Sequence, residues 1–455
     1  MRSFPFALRR FGAAHLLAIT MAVVAAVASV LVPTPSHAMK IQELTTKSGI
    51  KLWLVEEHAV PLVAMRFSFA GGATQDPENR PGIAHFMSGM MDEGAGDLTS
   101  VAFQARMEEL AMRLSFEAAK DSFYGSFETL SDYRRESAAL LKLAVNAPRF
   151  DADAIERVRR QIASSLAYAA KNPESVVSER WMSEAYKGHP YGRPTKGTPD
   201  TVGAITRDDL VAYRKRIFAR DNLNVVVVGD ITSAEASAMV DDIFGALPAK
   251  SDLVKVADVA PKAAEKLVVV DMPVPQSVAR FGSGAMMRKD KDFIPAFVLN
   301  HILGGGGFSS RLMEEVREKR GLAYSVYSYL QPLDHTSMFM GGVATKNEEM
   351  AQSLDVIRGE LKRLATEGPT VTELDNAKSN LIGAFALRFD TNAKIANQLL
   401  YFMEEDLGAG YVDTRNKEVA AVTIDDVRRV AKRLFAADDL FVTIVGRPKG
   451  LKAGG

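Results

Sequence analysis

The first stretch that could do chemistry is residues 81–94, P-G-I-A-H-F-M-S-G-M-M-D-E-G, where His85 stands alone in an apolar segment. A metal site on one helix needs a second ligand three or four positions on, so that both side chains leave the same face. Three and four positions beyond His85 stand Ser88 and Gly89. A serine hydroxyl is no base at neutral pH, and glycine has no ligand atom. Beyond residue 38 the histidines are His58, His85, His189, His301 and His335, and no two of them lie three or four apart. There is no cysteine, which excludes disulfides, thiolate nucleophiles and cysteine-ligated metals. No G-x-S-x-G elbow offers an activated serine either.

The second reactive stretch is residues 301–330, H-I-L-G-G-G-G-F-S-S-R-L-M-E-E-V-R-E-K-R-G-L-A-Y-S-V-Y-S-Y-L. Gly304, Gly305, Gly306 and Gly307 read as a loop that another backbone could approach closely. No Gly-Lys-Ser/Thr follows, so it is not a phosphate-binding loop. Ser309 or Ser310 is expected to cap a helix carrying an i, i+4 pair, Glu315 and Lys319. Gly321 should stop that helix, and residues 322–330 read as a strand. The guanidinium of Arg317 offers fixed donors for carbonyl groups, and the phenol of Tyr324 can donate to a developing oxyanion. Taken alone, the same two residues read more readily as a solvated helix position and a half-buried strand position.

The elements that must position these residues are duplicated. Residues 206–230 and 423–447 align without a gap, with about half the positions identical. Each segment opens on Thr-x-Asp, an N-cap signal, and runs as an amphipathic helix. Each turns at Asp221 or Asp438 into a β-branched strand that ends on glycine. The expected organisation is a signal peptide at 1–38, a first domain at 39–249, a linker at 250–265 and a second domain at 266–455. The fold class is α+β: two duplicated domains, each a mostly antiparallel sheet with helices packed on one face, arranged as a clamshell.

With these motifs in view, the chain resembles the pitrilysin/insulinase family of zinc metallopeptidases, the inverted zincins, whose signature is H-x-x-E-H. His85 matches the first histidine, while Ser88 and Gly89 depart from the glutamate and the second histidine. Residues 301–330 are similar to the family's second-domain motif, G-G-G-x-x-S-R-L-x-x-x-x-R-x-x-x-x-L-x-Y. On that resemblance Arg317 and Tyr324 are the arginine–tyrosine pair that faces the zinc across a cleft. Phe67 to Gly72 with Gly82, His189 to Pro194 with Gly197 and Thr198, and Asp271 to Gln276 extend the likeness over most of the chain. His189 reads as structural there and not as a ligand. The family's third ligand is a glutamate on a later helix. Glu156 matches an earlier acid of that helix, and no acid occurs from 157 to 170.

The resemblance implies the zinc-lacking subunit of a two-chain metallopeptidase. No cofactor is expected in this chain, and zinc is expected in a homologous partner with an intact H-x-x-E-H. Unfolded peptide is the expected substrate, entering as an extended strand. Arg317 and Tyr324 would hold it against the partner's site. Two alternatives stay open: a non-proteolytic binding or scaffold protein of the same fold, and a self-sufficient hydrolase.

At 455 residues, with 47% hydrophobic and 25% charged residues and zero formal charge, the chain has a globular composition and no basic stripe. That gives no reason to expect nucleic acid as a partner. Arg2, Arg9 and Arg10, an apolar run over 13–32 and the Ser36-His37-Ala38 cleavage pattern read as an export signal. The expected location is periplasmic, with no membrane attachment after cleavage.

Overall fold

The computed structural model describes residues 39–436 and 439–451. The expected export signal, the turn residue Asp438 and the end of the tail lie outside the described residues. Among the described residues no helix is long and apolar enough to cross a membrane.

The strands are β1 (Gln42–Thr45), β2 (Lys51–Glu56), β3 (Leu62–Ala70), a small hairpin of β4 (Gly94–Ala95) and β5 (Leu98–Thr99), β6 (Arg113–Ala118), β7 (Ser122–Leu130) and β8 (Leu223–Gly229) in the first half. The second half has β9 (Leu267–Asp271), β10 (Gln276–Gly284), β11 (Ser325–Leu333), β12 (Thr336–Lys346) and β13 (Phe441–Gly446). The first sheet runs β1-β2-β8-β3-β7-β6 and the second β9-β13-β10-β12-β11. Apart from the extra edge strand β1, the two orders are the same. In each sheet one pair is parallel, β2 with β8 and β9 with β13, and every other pair is antiparallel.

The duplication reaches single residues. Thr206 and Thr423 both form capping boxes, with Asp209 and Asp426, at the start of the helices Arg207–Ile217 and Ile424–Phe435. Those helices lead into β8 and β13, which end on Gly229 and Gly446 at φ 143° and 141°. Phe67 on β3 lies opposite Gly125 on β7, and Phe281 on β10 lies opposite Gly341 on β12. At either glycine an added methyl would overlap the facing ring, so each phenylalanine lies across its neighbouring strand.

Each sheet packs its own helices on one face. In the first half Phe67, Phe69, Val225 and Val227 meet Phe86, Leu141, Phe218 and Val240 in one apolar core. The other face of each sheet is covered by a helix from the opposite half. Asn392–Glu404 lies on β3 and β8, where the buried Arg66 donates to Asn397 Oδ1 at 2.8 Å. Reciprocally, Pro173–Ala185 lies on β10 and β13, and its fully buried Trp181 donates from the indole to the Phe441 carbonyl at 3.2 Å. The halves therefore interlock. Between them runs a segment with no regular structure, strapped to both: Val254 exchanges two hydrogen bonds with the Gln75 side chain, and Val259 N donates to the His335 carbonyl.

Candidate functional site

The His85 segment forms a helix of six residues, Ile83–Ser88. Its start is fixed by Asp76, whose buried carboxylate accepts from Gly82 N at 2.7 Å and Ala84 N at 2.9 Å. An anion at a helix N-terminus is the favourable arrangement. Burial nonetheless lifts the Asp76 carboxyl to about 7. The helix stops at Ser88 with Gly89 as its C-cap, so position 89 ends the helix. Ser88 turns its hydroxyl back to donate to the His85 carbonyl at 2.8 Å.

A cavity of about 310 Å³ opens beside His85. The helix Ala152–Ala169 crosses it and contributes Val158, Gln161, Ile162 and Ser165, and Phe116 adds an apolar wall. Glu156 does not line it; this carboxylate pairs with Arg159 on the same helix at 3.1 Å. Lys196 does line it. That residue is brought in because its loop packs on the start of the His85 helix: Thr201 donates to the Pro81 carbonyl at 2.9 Å, and a methyl on Gly82 would meet Gly197 Cα at 2.8 Å. Burial first, and the Lys196 charge second, hold the His85 imidazole below its ordinary pKa. His189 is structural as expected: it donates from Nε2 to the Ala257 carbonyl and accepts at Nδ1 from Tyr191 N.

The second stretch differs from its sequence reading in three places. The glycines are not an open loop. His301–Gly305 continues the helix Phe293–Asn300 as a π-helical turn, and Gly307–Ser309 is a short 3₁₀ turn. A methyl on Gly304 would meet Ser328 N at 2.6 Å and one on Gly306 the His301 carbonyl at 2.7 Å, so these glycines serve close internal packing. Gly305 would meet Asn300 Nδ2 at 2.8 Å, whereas Gly307 is open and needed for its φ of 62°. Ser310 does stand at the N-cap position of the next helix, extended and with its carbonyl accepting from Glu314 N at 3.0 Å, but its hydroxyl donates back to the Gly307 carbonyl at 2.7 Å. Finally, β11 begins at Ser325, so Tyr324 precedes the strand and is 82% exposed.

Arg317 sits in the π-helical turn Met313–Glu318. Its guanidinium lies 4.7 Å from the Phe308 ring and 4.7 Å from the Tyr324 ring. The two aromatic rings are both largely exposed, at 69% and 82%. The expected Glu315–Lys319 pair forms at 2.8 Å, and Arg320 also binds the buried Glu315 at 2.6 Å. Lys319, then Arg320, holds the Glu315 carboxyl below its usual range and bolts the turn in place. Thus Arg317 and Tyr324 come together, as do His85, Ser88 and Gly89. The His85 cavity is lined by first-half residues alone.

The sequence fits a known family at both places. Residues 52–199 match the family profile described as Insulinase (Peptidase family M16), and residues 204–381 match Peptidase M16 inactive domain. A crystal structure of a peptidase M16 inactive domain from Pseudomonas fluorescens is 30% identical, covering 92% of this chain and 100% of that one with a TM-score of 0.85. The chain belongs to peptidase family M16. Among other M16 relatives, "Non-peptidase homolog YmxG" of Helicobacter pylori is 25% identical over 418 residues, spanning 91% of this chain and 95% of that protein. "Uncharacterized zinc protease YmxG" of Bacillus subtilis is 24% identical over 403 residues, 88% of this chain and 96% of that protein. A protease structure from Helicobacter pylori shares the fold at a TM-score of 0.80 and 19% identity, covering 90% of this chain and all of that one.

The family's zinc does not fit this M16 pocket. Its donor set is one imidazole, a hydroxyl already engaged, a glycine, a glutamine and a second serine, with an ammonium beside them. Zinc is held by several imidazole, thiolate or carboxylate ligands, and a neighbouring cation opposes it. No group of three or more His, Cys, Asp or Glu able to hold a metal occurs among the described residues. Two residues of these sites escaped the sequence reading. Phe308 lay inside the quoted motif as an unremarked position, and Lys196 lay in the gap between Pro194 and Gly197, where only the folded loop carries it to His85.

Proposed function

We propose that this chain is the zinc-lacking, non-peptidase subunit of a two-chain M16 metallopeptidase. It binds an extended peptide and presents Arg317 and Tyr324 to the zinc site of a homologous partner that carries H-x-x-E-H. The carrying observation is the exposed Phe308–Arg317–Tyr324 cluster on a turn fixed by Glu315, in a chain whose own pocket lacks a metal donor set. Arg317 donates to peptide carbonyls, the Tyr324 hydroxyl donates to an oxygen gaining negative charge, and hydrolysis belongs to the partner. The names of the Helicobacter relative and of the Pseudomonas domain, non-peptidase and inactive, support the missing autonomous activity. The two proteins meet in the periplasm, where the N-terminal signal delivers this chain.

The test is peptide cleavage by the purified pair, formed with the Tyr324→Phe and Arg317→Ala chains. Loss of one transition-state donor is expected to lower kcat by about a hundredfold without dissociating the pair. Unchanged turnover in both variants overturns the assignment. A pair that never cleaves peptide supports the non-proteolytic binding or scaffold alternative, which rests on the same deficient donor set.

A further inference from the structure

The pocket beside His85 has become the electrostatic inverse of a metal site. Its lining contains no carboxylate, and the one charged side chain there is the ammonium of Lys196. The side chains of Lys196, His85, Gln161 and Ser165 make no direct hydrogen bond or ion pair among the described residues; the acid that feels Lys196 is Glu179, whose carboxyl burial raises and the Lys196 charge opposes. Together they can offer an ammonium, a neutral imidazole, a carboxamide and a hydroxyl, all able to donate. Phe116, Val158 and Ile162 supply the apolar remainder. Lys196 also lines a second cavity of about 840 Å³, which Arg280 of the second half and Lys120, Arg180 and Arg193 of the first help to form. Those four cations have direct partners, in Tyr327, two carbonyls, Glu184 and the Asp76 carbonyl respectively. Two carboxylates also line this cavity: Glu174 pairs with Arg280 at 3.4 Å, and Glu179 feels Lys196 without a direct ion pair, so Lys196 is the cation there with no direct partner.

We propose that the degenerate metal pocket is a carboxylate-binding site, and that a peptide lying in the larger cavity places its carboxylate on Lys196. Lys196 supplies the charge; Gln161, Ser165 and the His85 N–H hydrogen-bond the two oxygens. The carboxylate comes from the peptide's C-terminus or from an Asp or Glu side chain, and both present the same group. The site stands on the pocket itself; only the choice of a peptide as its bearer rests on the function proposed above.

The test uses the lone full mature chain and fluorescence anisotropy with three dye-labelled, alanine-rich octapeptides. One has a free C-terminus, one is its C-terminal amide, and one is an amide with a single internal Glu. A carboxylate-bearing peptide is expected to bind about tenfold or more tightly than the plain amide. Whichever of the two carries the preference identifies the source. Lys196→Gln should remove that preference and Lys196→Glu should reverse it, with thermal unfolding unchanged because the side chain is exposed. Lys417→Gln, on the exposed face of the helix Tyr411–Ala421, controls for loss of one positive charge. Equal affinity for all three peptides, or a Lys196→Gln chain that matches Lys417→Gln, overturns the proposal. Because no partner is present, carboxylate binding by a chain whose pair shows no dependence on Tyr324 upholds this site and removes the two-chain reading.

Discussion

Trp181→Ala should uncouple the two halves before it unfolds either. Trp181 is fully buried and packs with Tyr186 against Met338, Met340 and Phe441, an apolar cluster shared between halves and separate from the core of each. Removing a buried tryptophan down to alanine costs about 3–5 kcal/mol. The indole donor to the Phe441 carbonyl accounts for about 1 kcal/mol of that. Room for the ring is made by Gly282, where a methyl would meet the indole at 2.8 Å, so β10 cannot close the gap from below. The cost therefore falls on docking. The chain has two tryptophans, and the second, Trp53, sits buried on β2 in the first half. In the variant, fluorescence reports the first half alone while circular dichroism reports both. Urea unfolding should change from coincident transitions to separated ones, and Trp181→Phe should cost only about 1–2 kcal/mol. A Trp181→Ala chain that loses less than about 1 kcal/mol, or whose two signals still coincide, refutes interlocking by this helix.

Two further outcomes follow from charges. Burial lifts the Glu404 carboxyl, which accepts from Tyr124 at 3.2 Å, from 4.5 to about 7. A carboxyl raised on folding gives stability that is full below its unfolded pKa and declines as pH rises to its folded value. Glu404→Gln should therefore match the wild type near pH 4 and exceed it by up to about 3 kcal/mol above pH 7. A gap between the two that does not change with pH removes this account. Zinc binding should be restorable by Ser88→Glu, Gly89→His, Ser165→Glu and Lys196→Gln together. The Gly89 backbone is right-handed helical (φ −77°), and a Cβ there meets only Val158 Cγ1 at 3.2 Å and the Phe86 carbonyl at 3.6 Å. About one equivalent of zinc should be retained through desalting, read by atomic absorption. Retention no greater than that of the wild type means that the pocket lacks more than its ligands.

The duplication was legible because its signals are local. A Thr-x-x-Asp box, an amphipathic helix and a β-branched strand ending on glycine are all set within 25 residues at 206–230 and again at 423–447. The interlocking was not. Val177, Trp181 and Ala185 recur every four residues along Pro173–Ala185 and so announce a buried stripe, but no spacing says that the stripe lies on the other half's sheet. The glycines at 304–307 misled for a related reason. Glycine in sequence advertises backbone freedom, whereas at Gly304 what matters is Ser328, 24 positions later, held by hydrogen bonds to Asn300 at 2.8 and 3.2 Å. Lys196 belongs to the same class, since its partner in space is set by the docking of a loop.

The two sites differ in how much of the chain each requires, and that difference bears on function. A zinc site here would draw residues from two helices, and with Ser88, Gly89 and Ser165 on them both helices form without supplying its ligands. The arginine clip depends on one turn and its flanks, yet it is anchored well beyond them. Buried Glu315 gathers Lys319 and Arg320, and Arg311, one turn earlier, makes a two-pronged pair with Glu373 at 2.5 and 2.8 Å. Such anchoring fixes where Arg317 points, although the rings on either side of it stay in water. An exposed phenylalanine and tyrosine flanking a guanidinium form an apolar surface that gains free energy only when something covers it. On the function proposed above, the Phe308–Arg317–Tyr324 surface is what the peptide would cover.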